Sequence, residues 1–296
     1  MNSDRKQVLV TGASSGIGRA TVLHLSASGM RVFAACRRAE DGAALQDASA
    51  TPERLTPVIL DVTRQETIDA CRAFIATESG GRLDAIVNNA GVGTSTPMEV
   101  VPLETVRAAF EVNVFGQLAV IQAFLPLLPR GSGRIINLGS VGAHITIPFG
   151  GVLCGSKAAF EAFSDALRME LRPLGIHVSI IQPGSIKTPA VDKTLGSVEE
   201  AISQWPEAGR ARYGALFRRF SARARARETG GSEPDIVART IHLALTAPQP
   251  QTRYPTGKDA RMLTLVPRIL PDRTLDFLRQ KMLGLPTQFD VPREPP

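Results

Sequence analysis

Thr11-Gly12-Ala13-Ser14-Ser15-Gly16-Ile17-Gly18 is the stretch that decides how this chain folds. It follows the short apolar run Val8–Val10 and opens a helical pattern from Ile17 to about Ser28. Glycines at 12, 16 and 18 permit left-handed turns and close approach of the backbone to a ligand. The free N–H groups at the start of the next helix suit a pyrophosphate. Working outward, apolar runs recur at Arg31–Ala35, Val58–Leu60, Ala85–Val87, Arg134–Leu138 and Val178–Ile181, with helix-length segments between them. Ile68, Cys71, Phe74 and Ile75 mark one amphipathic stripe, and a helix from about Val152 to Leu171 lies between the last two runs.

Strand alternating with helix implies right-handed crossovers and a parallel sheet covered on both faces. The expected fold class is therefore α/β, a doubly wound parallel sheet of Rossmann type. One domain suits 296 residues with 43% hydrophobic side chains. Within it, residues 5–190 read as the cofactor-binding and catalytic core. Residues 191–231 read as an insertion covering the substrate, and 232–296 as C-terminal elements containing Glu233–Leu245, Arg253–Pro255 and an amphipathic Arg261–Leu283.

The three cysteines, 36, 71 and 154, are odd in number and widely spaced, so neither a disulfide framework nor a zinc site is expected. Reduced thiols and a start without a secretory apolar core point to the cytoplasm. Leu118–Leu128 is the longest apolar stretch and is too short to span a bilayer, so no membrane span is expected. The net charge of +6 is local. Between 208 and 227 lie seven arginines and no acid, and taking those seven from the 34 basic residues leaves 27 against 28 acids. A nucleic-acid partner is not indicated. With Ala222, Ala224 and Ala226 alternating with Arg223, Arg225 and Arg227, the segment has no wide apolar stripe. It is read either as a solvated charged helix or mobile loop, or as a mobile cover that meets a phosphate-bearing thioester or an acidic carrier protein. Trp205, Leu216, Phe217 and Phe220 either line an apolar pocket or form a helix's core face.

Thr11–Gly18, Asp61-Val62, Asn88-Asn89-Ala90-Gly91, Asn113, Ser140, Lys157 and Pro183-Gly184 with Ile186 and Thr188 together resemble the short-chain dehydrogenase/reductase family over about residues 5 to 190. The resemblance implies an oxidoreductase that assembles as a homodimer or homotetramer through helices near 104–128 and 152–172. It places a dinucleotide against Gly12, Ser14, Ser15, Gly16, Ile17, Gly18, Asp61, Val62, Asn89, Ala90, Gly91, Lys157, Pro183, Gly184, Ile186 and Thr188. The second apolar run ends Cys36-Arg37-Arg38 without an acid. A basic residue there pairs with a 2′-phosphate, so NADP(H) is the expected cofactor, held by Arg37 and Arg38.

The same resemblance exposes a gap. Leu153 stands thirteen residues after Ser140 and four before Lys157, where the family has a tyrosine that relays the proton. Three readings stay open: an engineered knockout, a natural site with another donor, or a protein that binds NADP without turnover. A lyase, cyclase or isomerase reusing the pocket is a further alternative. His144, four residues beyond Ser140, is the replacement donor the sequence suggests, since its pKa suits acid catalysis. The family's Asn, here Asn113, would anchor a water that continues the relay. The expected substrate is a fairly large apolar ketone or alcohol.

Overall fold

A computed structural model describes residues 5–189 and 194–286. Seven parallel strands form one sheet: β1 (Gln7–Val10), β2 (Arg31–Cys36), β3 (Leu55–Ile59), β4 (Ala85–Asn88), β5 (Arg134–Leu138), β6 (His177–Pro183) and β7 (Arg253–Thr256). Their order is β3-β2-β1-β4-β5-β6-β7, reversing direction beside β1 as in doubly wound sheets. Alternation along each strand divides the core into two layers. Val8 and Val10 join one cluster under α1 (Gly16–Ala27) with Val22 and Leu25. Leu9 joins the other, under α3 (Gln65–Glu78), with Ile68, Cys71 and Ile75. Between these helices, α2 (Ala39–Asp47) links β2 to β3.

After β4 the chain forms α4 (Leu103–Phe110), a π-helical turn Glu111–Phe115, and α5 (Gly116–Phe124). The continuous helical segment Leu103–Leu127 is long and apolar enough to cross a membrane by length and composition, which corrects the shorter limit read from Leu118–Leu128. One face of it packs on the core: Val120, Ile121 and Phe124 are buried against the sheet, and Asn113 and Gln117 are buried at the site, while Leu103 and Phe115 are exposed. α6 (Gly151–Leu171) follows β5.

The Arg-rich segment takes the helical one of its readings. It is an ordered helix, α8 (Glu207–Thr229), preceded by the short α7 (Val198–Ser203). Neighbouring elements supply counter-charges to three of its arginines. Arg212 pairs with Glu99, Arg218 with Glu199 and Arg227 with Asp259, while Arg225 donates to the Gly196 carbonyl. Tyr213, Phe217 and Phe220 form the inner face that the alanine repeat concealed. Trp205, Phe217 and Phe220 belong to a satellite core with Leu195, Ile202 and Leu283, and Leu216 is half-buried. Residues 190–193, where the expected insertion begins, and 287–296 lie outside the described residues. The fold ends with α9 (Pro234–Thr246) packed on α1, then α10 (Ala260–Leu265) and α11 (Asp272–Leu283). Pro267 and Pro271 break the single amphipathic stretch expected there.

Candidate active site

The glycine turn after β1 is built by backbone geometry. Gly12 and Gly16 have φ of 64° and 53°, conformations that side chains disfavour. A Cβ on Gly12 would lie 2.8 Å from the Ala90 Cα, so this turn sits directly on the Asn88–Gly91 loop. Thr11 Oγ1 accepts from the N–H groups of Asn89 and Ala90 at 3.0 Å, and Asn89 Nδ2 donates to the Thr11 and Gly12 carbonyls at 2.9 and 3.1 Å. Ser15 caps α1 without a side-chain bond, and no acid occupies the first helical turn. Both features leave N-terminal donors for an anion.

These elements enclose a cleft of about 370 Å³, a size ordinary for small-molecule sites. Gly12, Ser14, Ser15, Gly16, Ile17, Gly18, Arg37, Asp61, Val62, Asn89, Ala90, Gly91 and Thr188 line it, all of them expected. Cys36, Leu60, Val92, Val112 and Thr194 also line it and were not foreseen. Asp61 is oriented by Thr63, whose N–H and hydroxyl donate to Oδ1 at 3.0 and 2.8 Å. Burial pushes its carboxyl up, but the Thr63 bonds and the cations Arg37 and Arg64 outweigh this, and the net shift is downward. A side-chain-free cradle, free helix-end donors and a cation at the end of β2 fit a phosphorylated dinucleotide.

Gly18 carries a direct test. A Cβ there would collide with the Gly12 carbonyl and the Asn89 amide. Overpacking of this kind costs about 1–3 kcal/mol. Gly18→Ala is therefore expected to weaken dinucleotide binding about tenfold or more. An unchanged Kd by fluorescence titration would show that the turn relaxes freely.

Several expected contacts lie elsewhere. Arg38 turns away from the cleft onto Asp41, at 2.8 and 3.0 Å, because the carboxylate three residues on is its nearest countercharge. Pro183 ends β6, and the Gly184 N–H is spent on the Thr256 carbonyl. A side chain on Gly184 would strike Asp259. Ile186 is buried in the sheet core and bridges to Ser232. Of that segment, Thr188 reaches the cleft lining.

At the Gly91 end of the cleft stand two polar groups of the expected catalytic set, Asn113 and Lys157. Asn113, on the π-turn, is fully buried; its Oδ1 accepts from Val92 N–H at 2.8 Å. Its Nδ2 donates to the Val92 carbonyl at 2.8 Å and to Ser156 Oγ at 3.0 Å. Both amide donors are thus used, and the residue clamps the backbone after Gly91 with one Oδ1 lone pair to spare. Gln117 Nε2 adds a bond to the Ala90 carbonyl at 2.6 Å. Lys157 Nζ lies 3.8 Å from where a Gly91 Cβ would stand, and donates to the Leu138 carbonyl at 2.5 Å. Burial pushes its ammonium pKa down to about 8, against an upward pull from Glu161. Leu153 is half-buried one turn earlier on the same helix face, and its carbonyl accepts from Ser156 Oγ at 2.9 Å.

Ser140 leaves β5 in an extended conformation, its Oγ accepting from Gly142 N–H at 3.0 Å. Behind it is a group that the sequence reading passed over. Glu161 is buried; Oε1 faces the Ser140 N–H at 3.4 Å, and Oε2 accepts from Gln182 Nε2 at 2.8 Å. His144 points here as well. Its Nε2 lies 3.2 Å from Glu161 Oε2 and 2.5 Å from Gln182 Nε2, so the ring is taken up by this buried cluster and lines no part of the cleft. That placement replaces the donor role suggested for His144 by the sequence. The signal for Glu161 was present: a carboxylate four residues after Lys157, on the side of α6 that faces the sheet.

The loop between Ser140 and α6 is held from outside. Phe149 adopts φ 63°, uncommon for a bulky residue. Its ring contacts Tyr213, Phe217 and Phe220 with centroids 6.4, 5.4 and 5.2 Å apart, fixing the loop to α8.

Residues 6–197 match the family model described as short chain dehydrogenase. The chain belongs to that family. It is similar over most of its length to 17-beta-hydroxysteroid dehydrogenase type 6 of Rattus norvegicus, 37% identical over 280 residues, covering 92% of this chain and 87% of the relative. Retinol dehydrogenase 5 of Mus musculus is 34% identical over 290 residues, covering 95% and 90%. A solved short-chain dehydrogenase from Burkholderia cenocepacia in complex with NADP superposes with a TM-score of 0.70 at 25% identity, covering 97% of this chain and 100% of that one. This short-chain dehydrogenase is an oxidoreductase, and its family uses a nicotinamide cofactor.

Proposed function

We propose that this oxidoreductase is NADP(H)-dependent and interconverts the alcohol and carbonyl of a large apolar substrate, with a proton relay weakened by leucine at position 153. The observation that carries the proposal is the grouping of Asn113 and Lys157 around the Gly91 corner of the cleft, with Lys157 bonded to the Leu138 strand end two residues before Ser140 and Leu153 on the Lys157 face of α6. A nicotinamide held in this cleft would supply or accept the hydride. Ser140 Oγ already accepts from Gly142, so its own proton is free to polarise a carbonyl oxygen. An isobutyl group at 153 gives no proton. Lys157 is the group on this helix face whose pKa, about 8, lets it give one near neutrality.

The names of the two relatives, a hydroxysteroid and a retinol dehydrogenase, support an apolar substrate. The test is to supply NADPH with steroid ketones and retinaldehyde and follow absorbance of the reduced nicotinamide. Tight NADPH binding with no oxidation across the panel would favour the second reading that Leu153 permits, a cofactor-binding protein without turnover.

Preference for NADP(H) rests on Arg37, which lines the cleft at the end of β2 where no acid stands. Arg37→Asp removes a charge-assisted contact to the 2′-phosphate and adds repulsion. It is expected to weaken NADP binding by about an order of magnitude or more while leaving NAD binding nearly unchanged. Parallel titrations at one salt concentration check this; tighter NAD than NADP binding in the unmodified chain overturns the preference.

A further inference from the structure

The last two helices expose apolar side chains and unpaired cations together. α10 and the residues after it bury Ala260, Leu263 and Thr264, but leave Arg261, Met262, Leu265, Arg268 and Ile269 outward. α11 buries Leu275 and Leu283 and leaves Arg273, Phe277, Leu278, Lys281 and Met282 outward. At about 100° per residue, those five occupy about half of the α11 circumference, while Asp272 and Asp276 fall on the opposite half. Among the described residues, six of the sixteen large apolar side chains that are exposed lie within 262–282, with Ile269 at 68% the most exposed of all. Singly exposed apolar residues are normal, but this concentration is not scatter. No ion pair engages Arg261, Arg268, Arg273 or Lys281 within the described residues.

We propose that this face docks on the surface of an anionic lipid bilayer. Outward Met, Leu, Ile and Phe side chains can enter the boundary between headgroups and acyl chains, and cations beside them meet lipid phosphates. A second copy is a poorer occupant, because a two-fold contact through this face brings both sets of four cations together, with Asp272 and Asp276 on the other half of α11. Residues 287–296 carry two large apolar side chains, Phe289 and Val291, against the six exposed on this face. The proposal is independent of the redox reading, and its test does not use turnover.

The full chain is sedimented with vesicles of phosphatidylcholine alone and of phosphatidylcholine mixed with phosphatidylglycerol. Binding is expected to be about tenfold stronger to the anionic vesicles and to fall with added salt. Leu265→Ser with Ile269→Ser and Phe277→Ser should abolish it, and Arg268→Glu with Arg273→Glu should remove the preference for anionic lipid. Both variants change exposed side chains, and thermal melts establish that they fold. Failure to bind anionic vesicles overturns the proposal, as does binding that survives both variants. Sedimentation equilibrium adds a third arm: a dimer that the serine variant dissociates would assign the face to a second copy. Binding that appears only after removal of residues 287–296 would assign it to the chain's own end.

Discussion

Leu153→Tyr is expected to raise carbonyl reduction by about 10²–10⁴-fold, the usual worth of a positioned acid or base. That range corresponds to about 3–5 kcal/mol of barrier. The surroundings are those a phenol needs. Position 153 is half-buried, one turn before Lys157, and the Lys157 charge would favour the phenolate. Turnover should be measured beside cofactor binding, since a variant that binds NADPH but gains nothing would mean the pocket has been rebuilt for other chemistry. The pH profile separates the two donors. In the unmodified chain, donation by Lys157 needs its ammonium form, which predominates below about pH 8 and is lost as pH rises through that value. Reduction should therefore decline above about pH 8, and Lys157→Met should abolish that limb. A flat profile between pH 6 and 10, to choose about the working range of such groups, would remove Lys157 as the donor.

The framework of this fold was legible because its signals are short and local. Val8–Val10 followed by a glycine turn, and apolar runs at 31–35, 85–87 and 134–138, can be buried only as central parallel strands. The cofactor cleft was legible for the same reason: Gly12, Gly16 and Gly18 act through their own backbone. A side chain's role was not legible where it depends on what stands opposite. Arg38 and Arg37 look equivalent in sequence, yet Asp41 captures the first and the second lines the cleft. The arginines of α8 have no acid among them in sequence, and Glu99, Glu199 and Asp259 reach three of them from other elements. The amide donors of Asn113 go to Val92 and Ser156, partners that no spacing in the sequence announces. His144 was placed by its distance along the chain from Ser140, and it is Glu161 and Gln182, brought in by α6 and β6, that decide where its ring goes.

Glu161→Ala is expected to cost about 3 kcal/mol of folding stability, at the lower end for breaking a buried charged contact. The carboxylate has partners on three sides: Ser140 N–H, the Gln182 amide with His144 beside it, and Arg253, whose Nε lies 3.6 Å away. Arg253 keeps Asp165 when Glu161 is removed, at 2.5 Å, which is why the lower end applies. Gln182 and His144 have no such second carboxylate and would be left facing a cavity. Denaturant unfolding reads this loss directly. Glu161→Gln distinguishes charge from packing, since it fills the space and keeps an acceptor oxygen while removing the charge. Its stability should lie much closer to the unmodified chain, but its chemistry should shift. Lys157 owes its downward displacement to burial, and Glu161 opposes that displacement. Without the carboxylate, the ammonium loses this support and its pKa falls below about 8, so the decline in reduction rate moves to lower pH. A purely structural role for Glu161 would lower stability in Glu161→Ala and leave the pH profile of a folded Glu161→Gln where it was.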